Sequence, residues 1–172
     1  GLYIHLPFCL KKCNYCGFAS FPASSYDDFE GVIATYLNTL RDELNMTCEL
    51  CKREDRTIDT VFIGGGTPSL IDSKWIEELL KITKSVTNKN AEITIESNPE
   101  TLDIKKLQAY RKMGINRLAV GAQSFNDEVL KCAGRVHDAK RIIEAFEMAR
   151  QAGFKNINLD LMFALPEQSE RD

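Results

Sequence analysis

The chain has 172 residues, 44% hydrophobic and 27% charged, with ten Gly and five Pro; this excludes low-complexity disorder and a collagen-like fibre. A chain of this length buries roughly 70% of the surface of its unfolded form, so a core can hold it without disulfide staples. Lys and Arg number 22 against 25 Asp and Glu, a formal charge of −3, so the basic field of a nucleic-acid binder or of a protein held on anionic membrane is missing.

Strands and helices alternate along the chain. Strands are predicted over residues 2–7, 57–63, 92–97, 117–122 and 156–163, and helices over 26–47, 72–87, 103–113 and 138–152. In the first helix Phe29, Ile33, Tyr36, Leu37, Leu40 and Leu44 recur at three- and four-residue spacings, one apolar stripe. Ser25 with Asp28 reads as a capping box at its start. Gly114 and Gly153 each follow a helix and precede an apolar residue and a strand, a left-handed stop. No apolar run reaches the roughly 18–20 residues of a membrane span and no signal-like start is present, so a cytoplasmic location is expected. The chain starts at Gly1 in a strand-like run and closes on the polar residues Glu167 to Asp172. We read residues 1–172 as one domain, incomplete at its C-terminal side.

Strands alternating with helices at this period predict a parallel sheet with right-handed crossovers. An open doubly wound sheet buries both faces, and its strands are continuous apolar runs. These strands instead alternate: Ile93 and Ile95 with Glu92, Thr94 and Glu96; Leu118 and Val120 with Ala119, Gly121 and Gln123; Ile157, Leu159 and Leu161 with Asn156, Asn158 and Asp160. One apolar face meets helices and one polar face lines a lumen, which predicts a partial (βα) barrel. Glu96, Gln123 and Asp160 fall on the lumen parity, where a buried carboxylate requires a partner.

Cys9, Cys13 and Cys16 form C-x-x-x-C-x-x-C directly after the first strand. Three thiolates on one loop suit zinc or an iron–sulfur cluster. Structural zinc takes four protein ligands, with His5 available as the fourth; a four-iron cluster held by three cysteines keeps one iron open for chemistry. Cys48 and Cys51 make a separate CxxC near the end of the first helix, where the helix dipole opposes a thiolate, and are expected to be solvent-side thiols. Cys132 is expected to pack, and His137 to lie on the surface. Without a secretory signal, disulfides are not expected.

C-x-x-x-C-x-aromatic-C after a first strand resembles the radical S-adenosylmethionine (SAM) superfamily. Further segments narrow the likeness: residues 3–9 (YIHLPFC), 64–69 (GGGTPS), 123–125 (QSF) and 158–161 (NLDL) leading to Leu165-Pro166. They are similar to the branch containing oxygen-independent coproporphyrinogen III oxidases and HemW-type haem chaperones. The resemblance implies that Cys9, Cys13 and Cys16 hold a [4Fe–4S] cluster whose fourth iron is chelated by SAM, and that one electron cleaves SAM to a 5′-deoxyadenosyl radical. It implies SAM contacts from Tyr3, Tyr15, Gly64, Gly65, Gly66, Thr67, Glu96, Gln123, Arg135 and Asp160, with His5 beside the cluster. Gly64 to Thr67 end a strand, where glycine backbone can approach a ligand closely, and no Lys-Ser/Thr follows to make a phosphate loop.

The oxidase type resembles C-x-x-x-C-x-x-C-x-C, and the fourth cysteine position is Phe18 here. That is similar to the chaperone type, which binds cluster, SAM and haem and passes haem to acceptor proteins. Expected partners are haem or a porphyrinogen, a reductant protein as electron donor and haem-acceptor proteins. Three readings stay open at this point: haem chaperone, porphyrinogen oxidase, and a zinc-stabilised interaction domain.

Overall fold

In a computed structural model describing residues 1–171, the first strand, β1 (Leu2–Leu6), leads into a two-residue strand β2 (Phe8–Cys9). A loop returns to β3 (Phe21–Pro22), then α1 (Phe29–Arg53), β4 (Ile58–Gly65), α2 (Ser73–Thr83) and β5 (Thr87–Ser97). α3 (Ile104–Met113), β6 (Arg117–Gln123), α4 (Asp127–Cys132), α5 (Ala139–Gln151) and β7 (Asn156–Leu161) complete the chain. Asp172, the last of the polar closing residues, lies outside the described residues.

The five long strands pair in parallel in the order β1-β4-β5-β6-β7. That order never reverses, unlike a doubly wound sheet. α1 packs on α2, α2 on α3 and α3 on α5, one row of helices. The predicted partial barrel is therefore the observed architecture, with the helices outside and the opposite face turned to an open lumen.

One core joins sheet and helices. Ile4, Leu6, Val61, Ile63, Ile95, Leu118 and Val120 from the strands meet Leu37, Leu44, Ile76, Leu79, Leu107 and Ala145 from the helices. Parity weakens in β7: Ile157 and Leu159 pack, but Leu161 is 61% exposed. The strand stops there, and Phe163, which the prediction included, is also exposed.

Each helix is started by a short acceptor. Asp28, Asp72, Asp103, Asn126 and Asp138 take backbone N–H groups of the first turns of α1, α2, α3, α4 and α5, as N-caps do. The capping box at Ser25 is corrected: Ser25 ends a 3₁₀ turn, and Asp28 accepts from Gly31 N. Gly114 and Gly153 follow α3 and α5 with φ of 99° and 91°, and Ile115 and Phe154 behind them are buried. No described helix is long and apolar enough to cross a membrane.

Candidate functional site

Parallel pairing gathers the C-terminal ends of the strands on one rim, and the cysteine loop leaves β1 at that rim. β2 and β3 pair Phe8 with Phe21 and Cys9 with Pro22, which closes the loop at its base. Lys12 fastens the inside. Its ammonium donates to the carbonyls of Phe18 (2.7 Å) and Ser20 (3.0 Å) and to Ser20 Oγ (2.9 Å), three acceptors for three protons. Asn14 ties the tip to the end of α4, bonding the carbonyls of Ala133 (3.0 Å) and Cys132 (2.9 Å). Cys132 therefore anchors the loop through its backbone, with a half-buried side chain.

The loop covers a cavity of about 450 Å³, within the range of small-ligand sites. Cys9, Cys13, Cys16, Tyr15, Gly65, Gly66, Thr67, Glu96, Gln123, Arg135 and Asp160 all line it. Tyr3 and Gly64 do not: they stand beside Glu96 outside the wall, Tyr3 56% exposed and stacked on Phe62. Lys12, Ser20 and Asn98 also line it. Nothing in the sequence singles them out, because two adjacent Lys residues between cysteines and an Asn before Pro read as solvated charges and a turn.

Gly66 explains the need for glycine after β4. A Cβ built there would lie 2.6 Å from Phe8 O and 2.9 Å from Cys9 Sγ. Only a residue without Cβ lets this backbone pass so close to the first cysteine. Thr67, buried next to it, donates its hydroxyl to Cys9 Sγ at 3.6 Å. Burial pushes the Cys9 thiol up, and the Thr67 and Ser20 hydroxyls oppose that only in part.

Arg135 sits between the loop and β6. Nη1 reaches Cys13 Sγ and Tyr15 Oη, each at 3.4 Å, while Nη2 donates to Asn98 Oδ1 and Gly121 O, each at 2.7 Å. Its buried Nε has no partner among the described residues. Burial raises the Tyr15 phenol to about 12. His137, expected on the surface, has a fully buried side chain. Its ring meets Glu100 Oε2 at 2.9 Å and Ala122 O at 3.3 Å, fixing the chain two residues from Arg135. Burial alone would raise the Glu100 carboxyl, but the bond from His137 and the Arg135 charge hold it below the usual carboxylate range.

Glu96 accepts from Gly65 N at 2.9 Å. Burial, then the charge of Asp160, raise its carboxyl despite that bond. Gln123 is half-buried at φ 71°, where the register of β6 on β7 shifts. Asp160 lines the cavity yet is exposed, which corrects the expectation that all three lumen-side groups are buried: the β7 side of the lumen stands open. The CxxC expectation also fails. Cys48 is 2% exposed and Cys51 half-buried, both against the core, because the stripe of α1 runs on past residue 47.

His5 bears on the zinc reading. Its Nε2 donates to Ala19 O at 2.9 Å, and its Nδ1 meets Tyr3 Oη at 3.1 Å. With both nitrogens engaged, His5 supplies no fourth zinc ligand. No described group of three or more His, Cys, Asp or Glu side chains is gathered as a single metal ion needs. A four-iron cube asks for no such convergence, since each sulfur meets a different iron.

Comparison with known proteins follows the same line. A family model described as the radical SAM superfamily matches residues 3–172. The chain is 41% identical over 174 residues to heme chaperone HemW of Buchnera aphidicola subsp. Schizaphis graminum, covering 100% of this chain and 44% of that protein. It is 36% identical over 171 residues to heme chaperone HemW of Escherichia coli K12, covering 98% of this chain and 44% of that protein. The oxygen-independent coproporphyrinogen-III oxidase-like protein HemZ of Bacillus subtilis is 35% identical over 177 residues, 100% of this chain and 34% of HemZ. Among solved structures, the radical SAM enzyme coproporphyrinogen III oxidase HemN of Escherichia coli superposes with a TM-score of 0.86 at 33% identity. That match covers 98% of this chain and 38% of HemN. The chain thus spans less than half the length of these relatives. With the cysteine loop, the glycine run and the parallel sheet in one arrangement, and with the family matched from residue 3 onward, this chain belongs to the radical SAM superfamily.

Proposed function

We propose that the chain is the cluster- and SAM-binding core of a HemW-like haem chaperone, which delivers haem to acceptor proteins. Phe18 carries this reading against the oxidase. It stands two positions after Cys16, 70% exposed on the cavity wall, where the oxidase pattern has a fourth cysteine. The HemW relatives at 36% and 41% identity support it. The likeness to HemN keeps oxidative decarboxylation of coproporphyrinogen III as the second reading.

The residues present fit both implied groups. Three cysteine sulfurs face one cavity, Gly66 leaves the space at Cys9 that a Cβ would fill, and Arg135 Nε is a buried donor awaiting an acceptor. Cys9, Cys13 and Cys16 would hold the [4Fe–4S] cluster. Gly65, Gly66, Thr67, Glu96, Gln123, Arg135 and Asp160 would hold SAM, with Tyr15 at the loop side. When bound, the cluster supplies one-electron chemistry at SAM, fed by a reductant protein. The chain's own part is to shape the loop through Lys12, to present hydroxyl and guanidinium donors to two sulfurs, and to keep the Glu96 carboxyl beside the Gly65 amide.

The full-length protein, purified anaerobically, is expected to contain iron and sulfide, to bind haem and release it to an apo-acceptor, and to leave coproporphyrinogen III unchanged with SAM and reductant. Protoporphyrinogen production would overturn the chaperone reading in favour of the oxidase. Cys13→Ala is expected to lose the cluster with unchanged circular dichroism, and full iron in that variant would defeat the ligand assignment.

A further inference from the structure

Two of the three cysteines receive a hydrogen bond from a side chain that is itself held by the same residue. Asn98 follows β5, with its backbone fixed by Ser69 Oγ on N (3.3 Å) and by the Thr101 hydroxyl on O (2.8 Å). Its side chain faces the cavity. Arg135 Nη2 donates to Asn98 Oδ1 at 2.7 Å, and Asn98 Nδ2 donates to Thr67 Oγ1 at 3.1 Å. A guanidinium has no acceptor, so the oxygen of the amide must face Arg135 and its NH₂ must face Thr67.

That orientation has a consequence at the sulfurs. A threonine hydroxyl carries one hydrogen. Because Thr67 Oγ1 accepts from Asn98, its hydrogen is free for Cys9 Sγ, 3.6 Å away. On the other side, Asn98 Oδ1 and Gly121 O hold one nitrogen of Arg135 while the other points at Cys13 Sγ, 3.4 Å away. A Cβ at position 121 would come within 2.9 Å of Asn98 Oδ1, so the glycine keeps room for this bridge.

We propose that Asn98 is a positioning residue: its amide aims the Thr67 hydroxyl at Cys9 and the Arg135 guanidinium at Cys13, and so sets the reduction potential of the cluster those cysteines hold. The proposal rests on the cluster-ligand reading above. Hydrogen bonds to cluster sulfurs stabilise the more negative, reduced state and raise the potential. Asn98→Asp keeps the shape but turns the donor into an acceptor. The Thr67 hydrogen is then drawn to the carboxylate and away from Cys9.

The test is redox titration of the cluster in the full-length protein, followed by EPR, with iron and sulfide measured first. Asn98→Asp and Asn98→Ala are expected to keep full iron and to shift the potential to more negative values, Asn98→Asp by more. Thr67→Val is expected to shift it the same way and Thr67→Ser to restore it. Asn98→Ala and Thr67→Val combined are expected to shift it by less than the sum of the two, as residues acting through one another do. An unchanged potential in Asn98→Asp with full iron, or strictly additive shifts, would overturn the proposal while leaving the ligand assignment standing. Unaltered protein without iron would overturn the ligand assignment, and the proposal with it.

Discussion

Glu96 shows what a lumen-facing carboxylate costs at the level of a single residue. Burial and the charge of Asp160 raise its carboxyl, and the Gly65 N–H only partly opposes them. The folded protein therefore binds that proton more tightly than the unfolded chain does. Stability is fully present below the ordinary carboxylate value and falls as pH rises through the raised one. Glu96→Gln keeps an oxygen for the Gly65 amide and removes the charge. It is expected to melt a few degrees higher than the unaltered protein at pH 7.5 and no higher at pH 4, where both side chains are neutral; thermal circular dichroism at the two values checks this. Equal melting at pH 7.5 would mean that the amide fully offsets burial. On the SAM-binding reading proposed above, the same variant is expected to bind SAM more weakly, because it loses the carboxylate that would meet the ligand.

At the scale of elements, glycines at two turns are needed for different reasons, and alanine separates them. Gly114 ends α3 at φ 99°, and a Cβ there meets nothing within 4 Å. Gly114→Ala therefore costs backbone strain alone, about 1 kcal/mol, or about 2–4 °C in Tm for a domain of this size. Gly66 meets Phe8 O and Cys9 Sγ instead, so an added methyl displaces the first cysteine. Gly114→Ala is expected to keep full iron and lose melting temperature, whereas Gly66→Ala loses iron; metal analysis beside a melting curve distinguishes them. α1 teaches a related point. Its apolar stripe continues to Cys48, Cys51 and the C-terminal turn at Arg53, so the CxxC is part of a packed helix face.

For the molecule as a whole, the two faces of the sheet do different work. The helix-side face is the core, and Leu118 in β6, fully buried, lies near its centre. Leu118→Ala is expected to cost about 2–5 kcal/mol, as cavity-forming core substitutions do. Leu161 shares its alternation in the sequence but is 61% exposed, so Leu161→Ala is expected to stay within about 0.5 kcal/mol of the unaltered protein. Chemical denaturation of the two variants side by side reads the difference; equal losses would place β7 in the core. The other face carries the cavity, and its openness along β7 leaves Asp160 in solvent.

The order of strands and helices, the parallel barrel-like sheet and the cysteine loop were legible in the residues themselves. Alternating apolar positions select a face, and glycine stops end two of the helices by local chemistry, whereas the cap read at Ser25 is Asp28. The ends of elements were less legible: α1 begins at its Asp28 cap and runs six residues beyond the predicted end, to Arg53, and β7 stops at Leu161. The partners of His137, Lys12 and Asn98 came only from the tertiary structure, because Glu100 and Thr67 follow neighbouring parallel strands and Phe18 lies across the cysteine loop, placements that no local pattern encodes. Burial was decided the same way. Whether Glu96 or Asp160 faces protein or water depends on which strands stand beside it, and alternation along one strand says only which way a side chain points.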